Sequence, residues 1–393
     1  MDAEKLSKNI SKIYAFSFLW HLHFMAGVLI PFFTLWGKIS FTEIMLLQSF
    51  FVVSVFLLEI PTGAVADRFG RKTSLILSSL VSMVGVIVYS SYPSIAVFAL
   101  GEFIFAIGSS LISGADEALM YDTLKKTGRV RESKKILPRM HSFRILGVMV
   151  GAPIGGIIGY YLGLQYAVML MAIPMALSAL VAWTLEEPKT RKSKESTRYI
   201  DTLISGVTYF RKHKILRKLA ADEITIGAVI FFIIWLYQPA LQSAGVAIIW
   251  FGFVHALIAV AQIVFQNNFE RLEKFFGKKG YIKYSAIIPG ICFILLALGV
   301  GAWAMVGLIT LIAAFGLSRR ALYANYYNKH IESKNRATVL STIRMVGSFV
   351  RALLYPLVGV MVDFSLPLAL GAIGVVLVAA ALLSRVEDYM LVD

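Results

Sequence analysis

Apolar runs of about 20 residues, the length that crosses a bilayer core as a helix, recur along this 393-residue chain. They lie near 14–37, 42–62, 73–92, 95–119, 141–161, 164–185, 216–239, 246–267, 282–303, 304–324, 338–361 and 367–384. The breaks between them fall at turn chemistry such as Gly37-Lys38, Ser90-Ser91-Tyr92-Pro93, Pro239 and Ser365-Leu366-Pro367. The pattern predicts an all-α membrane protein with twelve transmembrane helices. Composition agrees: 58% of residues are hydrophobic and 16% charged, against roughly 45–50% and 25% in soluble domains. So much apolar surface excludes a disordered chain, and a single cysteine, Cys292, excludes a disulfide scaffold.

A net charge of +15 and a pI near 9.7 would suggest a nucleic-acid partner if the bases formed a stripe on a soluble face. Their positions give another meaning. Seven regions hold 36 of the 38 lysines and arginines: the tail to residue 13, then 67–72, 120–144, 186–218, 268–283, 319–344 and the carboxyl tail. The opposite loops contain Lys38 alone, and Arg351 lies inside a run. Basic loops stay in the cytoplasm, so both termini are expected there, in a multi-pass protein of the cytoplasmic membrane. Residues 1–13 are polar and the first run is long enough to span, so no cleavable signal is expected. The outer loops are a few residues each and leave no room for an external domain.

The 186–218 stretch breaks the rhythm with Glu186-Glu187-Pro188 and a basic, Ser/Thr-containing run. It divides the chain into an N-terminal six-helix bundle (1–187), a cytoplasmic linker (188–215) and a C-terminal six-helix bundle (216–393). Ile200, Leu203, Ile204, Val207 and Phe210 recur at helical spacing, as in a helix lying in the membrane interface. An internal repeat supports two pseudo-symmetric halves. Glu132-Ser133-Lys134 returns as Glu332-Ser333-Lys334, Arg144 as Arg344, Gly147 as Gly347 and Gly159 as Gly359, all offset by 200. The stretch Ala66–Lys72 is echoed by Leu272–Lys279 with one inserted residue. Repeated bundles of this kind are how transporter folds are built.

Ionisable residues are distributed in threes. Segments 3, 6, 9 and 12 have none inside, whereas His21, Glu59, Glu102, Arg144, Glu223, His255, Arg320 and Arg351 fall on segments 1, 2, 4, 5, 7, 8, 10 and 11. Charge in hydrocarbon is costly, so these residues are expected to face protein or a wet cavity, with every third helix as lipid-facing scaffold.

Between segments 2 and 3 the chain reads Gly63-Ala64-Val65-Ala66-Asp67-Arg68-Phe69-Gly70-Arg71-Lys72. This resembles the signature loop of the major facilitator superfamily, with Val65 where the family has Leu, and the resemblance covers essentially the whole chain. It implies a secondary transporter working by alternating access, two bundles rocking about a midplane site. The loop's physical task can be stated independently. Gly63 and Gly70 allow a tight turn, Asp67 can receive a helix N-terminus or an arginine, and Arg68, Arg71 and Lys72 hold the loop on the anionic leaflet. In the family this loop latches the cytoplasmic side. Segment 5 carries Gly147-x3-Gly151-Ala152-Pro153-Ile154-Gly155-Gly156, similar to a glycine–proline motif of the family's antiporters, although Ala152 splits the usual Gly-Pro pair. Small residues let helices approach closely and Pro153 permits a bend.

Three segments carry polar stripes expected to line a cavity: Glu102, Ser109, Ser113 and Asp116 on segment 4; His255, Gln262 and Gln266 on segment 8; Arg344, Ser348, Arg351 and Tyr355 on segment 11. Arg351 lies deepest and needs a counter-charge or a wet pocket, with Glu102 the expected partner. His21 and His23, two residues apart on a helix, should diverge by about 200° and so cannot share a metal ion; His21, one turn after Ser17, is the one expected to face the cavity. At the cytoplasmic ends, Asp116-Glu117 and Arg319-Arg320 are expected to form a latch between the halves. No Walker loop, metal-ligand cluster or nucleophile motif appears, so no cofactor and no metal are implied.

The expected function is a monomeric, proton-coupled exporter of a small molecule. Many proton-driven drug exporters of the family keep an acidic residue in the first helix, which this chain lacks, so the multidrug reading is disfavoured. The alternatives are a symporter importing a small organic anion, which Arg351 favours, and a non-transporting receptor or scaffold on the same fold. A membrane enzyme fits least.

Overall fold

Backbone groups that cannot reach water must bond to one another, and in the computed structural model they do so through helices; among the described residues there is no strand. The structure describes residues 3–188, 208–210, 212–332 and 335–391. Its longer helices are α1 (Asn9–Trp20), α2 (Phe41–Phe69), α3 (Arg71–Tyr89), α4 (Ile95–Ile112), α5 (Ala115–Lys126), α6 (Ser133–Tyr161), α7 (Ala172–Trp183), α8 (Lys214–Ile230), α9 (Ile233–Ser243), α10 (Phe251–Asn267), α11 (Lys278–Ala297), α12 (Ala302–Leu311), α13 (Arg319–His330), α14 (Arg336–Phe364) and α15 (Leu366–Leu382).

Among the described residues, ten helical stretches, some made of two of these helices in succession, are long and apolar enough to cross a membrane. The twelve expected spans differ from these at the two ends of the chain. The last run is a shorter apolar helix, α15. The first is not one helix: α1 stops at Trp20, a 3-10 turn covers Phe24–Gly27, a short helix covers Leu29–Pro31, and a wide π turn covers Phe32–Trp36. The break is local, because the His23 N–H turns back to the His21 carbonyl, 2.8 Å away. Segment 4 is also divided. Gly114 adopts φ +73° between α4 and α5, a left-handed conformation that glycine takes without strain.

Packing divides the chain into two compact units. The first contains the described residues up to Ile39, those from Phe50 to Pro188, and Ile248–Ala256; the second contains Ser40–Ser49, the described residues from Thr208 to Ala247, and those from Leu257 onward. Two helices are therefore shared: α2 contributes its first turns to the second unit, and α10 its first turns to the first. The first unit is filled by residues such as Ile13, Phe16, Leu75, Leu119 and Met140; the second by Leu216, Leu219, Tyr281, Leu322, Tyr323 and Met390.

The echoed loops share a backbone device. Gly70 (φ 97°, ψ 157°) and Gly277 (φ 73°, ψ 154°) stand immediately before α3 and α11 in the same unusual conformation. Of the expected interfacial helix, Ile200, Leu203, Ile204 and Val207 lie outside the described residues, while Phe210 packs against the core of the second unit. Ser333 and Lys334 of the repeat also lie outside them.

Candidate functional site

The segment 5 glycines lie on α6, where backbone meets backbone. A Cβ placed on Gly147 would come 2.5 Å from the Phe18 carbonyl oxygen, on Gly151 2.7 Å from the His23 nitrogen, and on Gly155 1.7 Å from the Phe24 carbonyl oxygen. On the adjacent side of the helix, Gly156 would meet the Ile249 carbonyl oxygen at 2.9 Å. The Ala152 carbonyl lies against both Gly27 and Gly252, where any Cβ would approach it to 2.0 Å. Pro153, which lacks an N–H, sits inside this helix. The stripe is thus a surface on which the broken first segment and the start of α10 rest directly.

In the signature loop, Gly63 lies within α2 and a Cβ there would meet nothing within 4 Å, so Gly70 alone makes the turn. Asp67, expected to receive a helix N-terminus or an arginine, is in the last turns of α2, and the start of α3 is met by the carboxylate of Glu187. Its oxygens accept from the Arg71 and Lys72 backbone N–H groups at 3.0 and 2.7 Å, satisfying two donors that a helix leaves open. The Arg71 guanidinium donates to the Ala118 carbonyl at 2.7 Å and to the Asp122 carboxylate. Arg68 lies over the Phe69 ring.

Asp116 and Arg319, expected in a latch between the halves, each have a partner in their own unit. Asp116 is buried at the start of α5, where its Oδ1 accepts from the Glu117 N–H at 2.8 Å and its Oδ2 pairs with Arg144 at 2.5 Å. Glu117 joins the same arginine at 3.3 Å and His141 at 3.4 Å. Because Gly114 breaks the helix, the stripe does not run in register from Glu102 to Asp116; Ser109 belongs to α4, and Ser113 is exposed at its end. Arg319 is 1% exposed, and both terminal nitrogens of its guanidinium are engaged. It donates to the Asp222 carboxylate, the Ile282 carbonyl, the Ser285 hydroxyl and the Tyr323 oxygen. The Tyr323 and Ser384 hydroxyls donate to Asp222 as well.

Glu102 is buried on α4, and its Oε1 accepts from the Tyr89 hydroxyl at 2.8 Å. The Tyr89 ring stands among Phe32, Phe33 and Phe98. Arg351, for which Glu102 is the expected partner, has contacts within its own unit. Arg351 donates to the Ser348 hydroxyl at 2.8 Å, its guanidinium lies 4.9 Å from the centre of the Phe231 ring, and Tyr355 and Glu223 are its near electrostatic neighbours. Tyr355 is buried, edge-on to Phe232 and Trp235. Glu223, recognised in the sequence only as an ionisable residue of segment 7, is the carboxylate that the structure brings to this region.

The histidines are also corrected. Since the helix stops at Trp20, the His21 and His23 rings do not diverge; they stack, with centroids 5.9 Å apart and planes 14° apart. His21 Nδ1 contacts the Ser17 carbonyl at 2.8 Å, and Trp20 lies against both rings. His255, in the same unit, is close enough to His23 for their charges to interact. Gln262 lies in the other unit, where its side-chain amide donates to the Leu317 carbonyl at 3.3 Å. The segment 8 stripe is thus shared between units, and Gln262 serves the π turn Ile312–Leu317.

Comparison with known proteins agrees with this architecture. Residues 15–355 match the Major Facilitator Superfamily. An uncharacterized MFS-type transporter of Bacillus subtilis, YxaM, is 24% identical over 256 residues, or 63% of this chain and 62% of that protein, less than two thirds of its length. An uncharacterized transporter of Buchnera aphidicola subsp. Schizaphis graminum is 34% identical over 96 residues, 24% of each chain. Among solved structures, a mutant of the nucleoside transporter NupG superposes with a TM-score of 0.77 at 14% identity, covering 97% of both chains. A POT family transporter in complex with 5-aminolevulinic acid gives 0.73 at 14% identity, covering 96% of this chain and 95% of that one. At such identities the likeness is one of fold.

Proposed function

Because this chain belongs to the Major Facilitator Superfamily, we propose that it is a secondary active transporter, moving a small molecule through the cytoplasmic membrane by alternating access as a proton-coupled exporter. Twelve crossings, both termini in the cytoplasm, and bundles at 1–187 and 216–393 joined by 188–215 complete the proposal, with the chain acting as a monomer in the bilayer. The observation that carries it is an arginine and a carboxylate, Arg351 on α14 and Glu223 on α8, half-buried in spanning helices and within Coulombic reach. A scaffold has no use for charge at that depth, whereas a transporter needs groups there that meet substrate and protons. Glu102 is the second candidate proton carrier, and His21, His255, Ser109, Ser113, Gln262 and Tyr355 are further candidate substrate or proton residues. Outward transport is favoured by the α6 glycine surface, which is similar to the antiporter motif.

The test is purified protein in proteoliposomes with an imposed pH gradient, in which transported substrate must drive proton movement. Glu102→Gln and Glu223→Gln are expected to reduce proton-coupled flux about tenfold or more while leaving counterflow at equal pH. Flux indifferent to both changes overturns the assignment of the proton carriers, and a protein that binds ligand but never moves it is a receptor. Import of a small organic anion is the second reading, favoured by the arginines of the second unit.

A further inference from the structure

Within the second unit, α8, α13 and α14 bring four charged side chains together. Glu223 feels Arg320 and Arg351, and Arg320 feels Glu223, Arg344 and Arg351. Arg320 and Arg344 are exposed, and Arg351 and Glu223 half-buried. Arg319 and Asp222, next in sequence to two of them, are engaged with each other in the buried network. Outside that network the group holds three guanidiniums and one carboxylate. Among the described residues no carboxylate oxygen lies within 4.0 Å of Arg320, Arg344 or Arg351.

Unneutralised guanidiniums at membrane depth are costly, and like charges brought together raise the cost. The positive-inside pattern accounts for Arg320 and Arg344, which belong to the basic region 319–344, but not for Arg351. That side chain is seven residues deeper than Arg344 on the same face of α14, a rise of about 10 Å. It is also held in place: Ser348 takes one N–H and the Phe231 ring stacks on the guanidinium, leaving the rest of the planar fork to meet a carboxylate or phosphate.

Resting on the transporter reading, we propose that Arg320, Arg344 and Arg351 form the substrate's anion site, and that the cargo is a small soluble organic anion with at least two negative charges on carboxylate or phosphate oxygens. Glu223 is the internal competitor, occupying the arginines' field when the site is empty. Two charges of the ligand balance the two positive charges that Glu223 leaves over.

The experiment is thermal unfolding of the purified full chain in neutral detergent with succinate, citrate and inorganic phosphate, at constant ionic strength with chloride as reference. At least one polyvalent anion should stabilise the wild type beyond chloride. Arg351→Gln should weaken that binding roughly tenfold to a hundredfold, Arg320→Gln should weaken it less, Glu223→Gln should tighten it, and Lys279→Gln on the surface should leave it unchanged. Unfolding of each variant in chloride alone separates lost binding from lost folding. No polyvalent stabilisation, or stabilisation that survives both Arg351→Gln and Arg320→Gln, overturns the site. Repeating the titration with an anionic phospholipid in the micelles separates the sources of the anion: if lipid saturates the site and abolishes the response, the ligand is a headgroup and the proposal of a soluble cargo fails. Counterflow of the stabilising anion in proteoliposomes is read separately. Binding without counterflow counts against the transporter reading, and proton-linked flux of uncharged or cationic compounds without anion binding counts against this site alone.

Discussion

The helices α6 and α14 are counterparts, 200 residues apart in sequence, and they have been put to opposite uses. Arg144 and Arg344 stand at matched positions, yet Arg144 is bound by Asp116 and Glu117 while Arg344 has no carboxylate in contact among the described residues. Further along, Gly151 and Gly155 of α6 correspond to Arg351 and Tyr355 of α14. Where α6 has lost its side chains, the chain at 18–24 presses against its backbone; where α14 keeps them, they carry an arginine held by Ser348 and Phe231. One copy of the repeat has become a docking surface and the other a polar face. Gly147 and Gly347 record the same divergence at a single matched residue, since a Cβ on the first would meet backbone at 2.5 Å and on the second nothing nearer than 3.8 Å.

That contrast is broken most forcefully at the glycines. Gly155→Val should cost more than about 4 kcal/mol, because the Phe24 backbone has no room to move aside. Gly347→Ala should stay within about 1 kcal/mol of wild type and could stabilise the helix. Comparable thermal unfolding of the two variants in detergent would show that the surfaces are not different after all. Next in size is the difference between buried and open arginines. Arg319→Gln leaves Asp222 buried without its cation and should destabilise by about 3–5 kcal/mol, whereas Arg344→Gln should change stability by less than about 0.5 kcal/mol. Tyr89→Phe removes the hydroxyl that Glu102 accepts and should cost about 1–3 kcal/mol. A smaller loss than at Arg319 or Tyr89 is expected at Asp363. Its carboxylate accepts from the Phe41 and Thr42 N–H groups at 2.8 Å and from the Thr42 hydroxyl at 2.5 Å, fastening the start of α2 to the end of α14. Asp363→Asn should cost about 1 kcal/mol, and hydrogen-exchange protection should fall first in residues 41–45.

The helical class and most spans were legible because hydropathy acts over windows of twenty residues, and the repeat was legible because Arg144, Gly147 and Gly159 return at one offset. The matching positive φ at Gly70 and Gly277 shows that even the loop echo carried geometry. Partners were not legible. Asp116 and Arg319 look like a pair in sequence, since opposite charges sit at corresponding helix ends, and nothing in the spacing names Arg144 and Asp222, the partners that hold them within their own units. Breaks within apolar runs were hidden for another reason. Nothing in hydropathy distinguishes His21–Gly27 or Gly114 from helix, and helical spacing sets the histidine rings apart where a turn stacks them. Glu223 was visible as a charge on segment 7, and only the fold of α8 beside α13 and α14 reveals what it faces.

The central claim is that the α14 face handles substrate and the α6 face is scaffold, and proton-linked flux in proteoliposomes tests it most directly. With a pH-sensitive dye inside and a stabilising anion added outside, the wild type should give a substrate-dependent pH change. Arg351→Gln should lose it while unfolding at the same temperature as wild type in chloride. An undiminished signal from a well-folded Arg351→Gln would contradict the account.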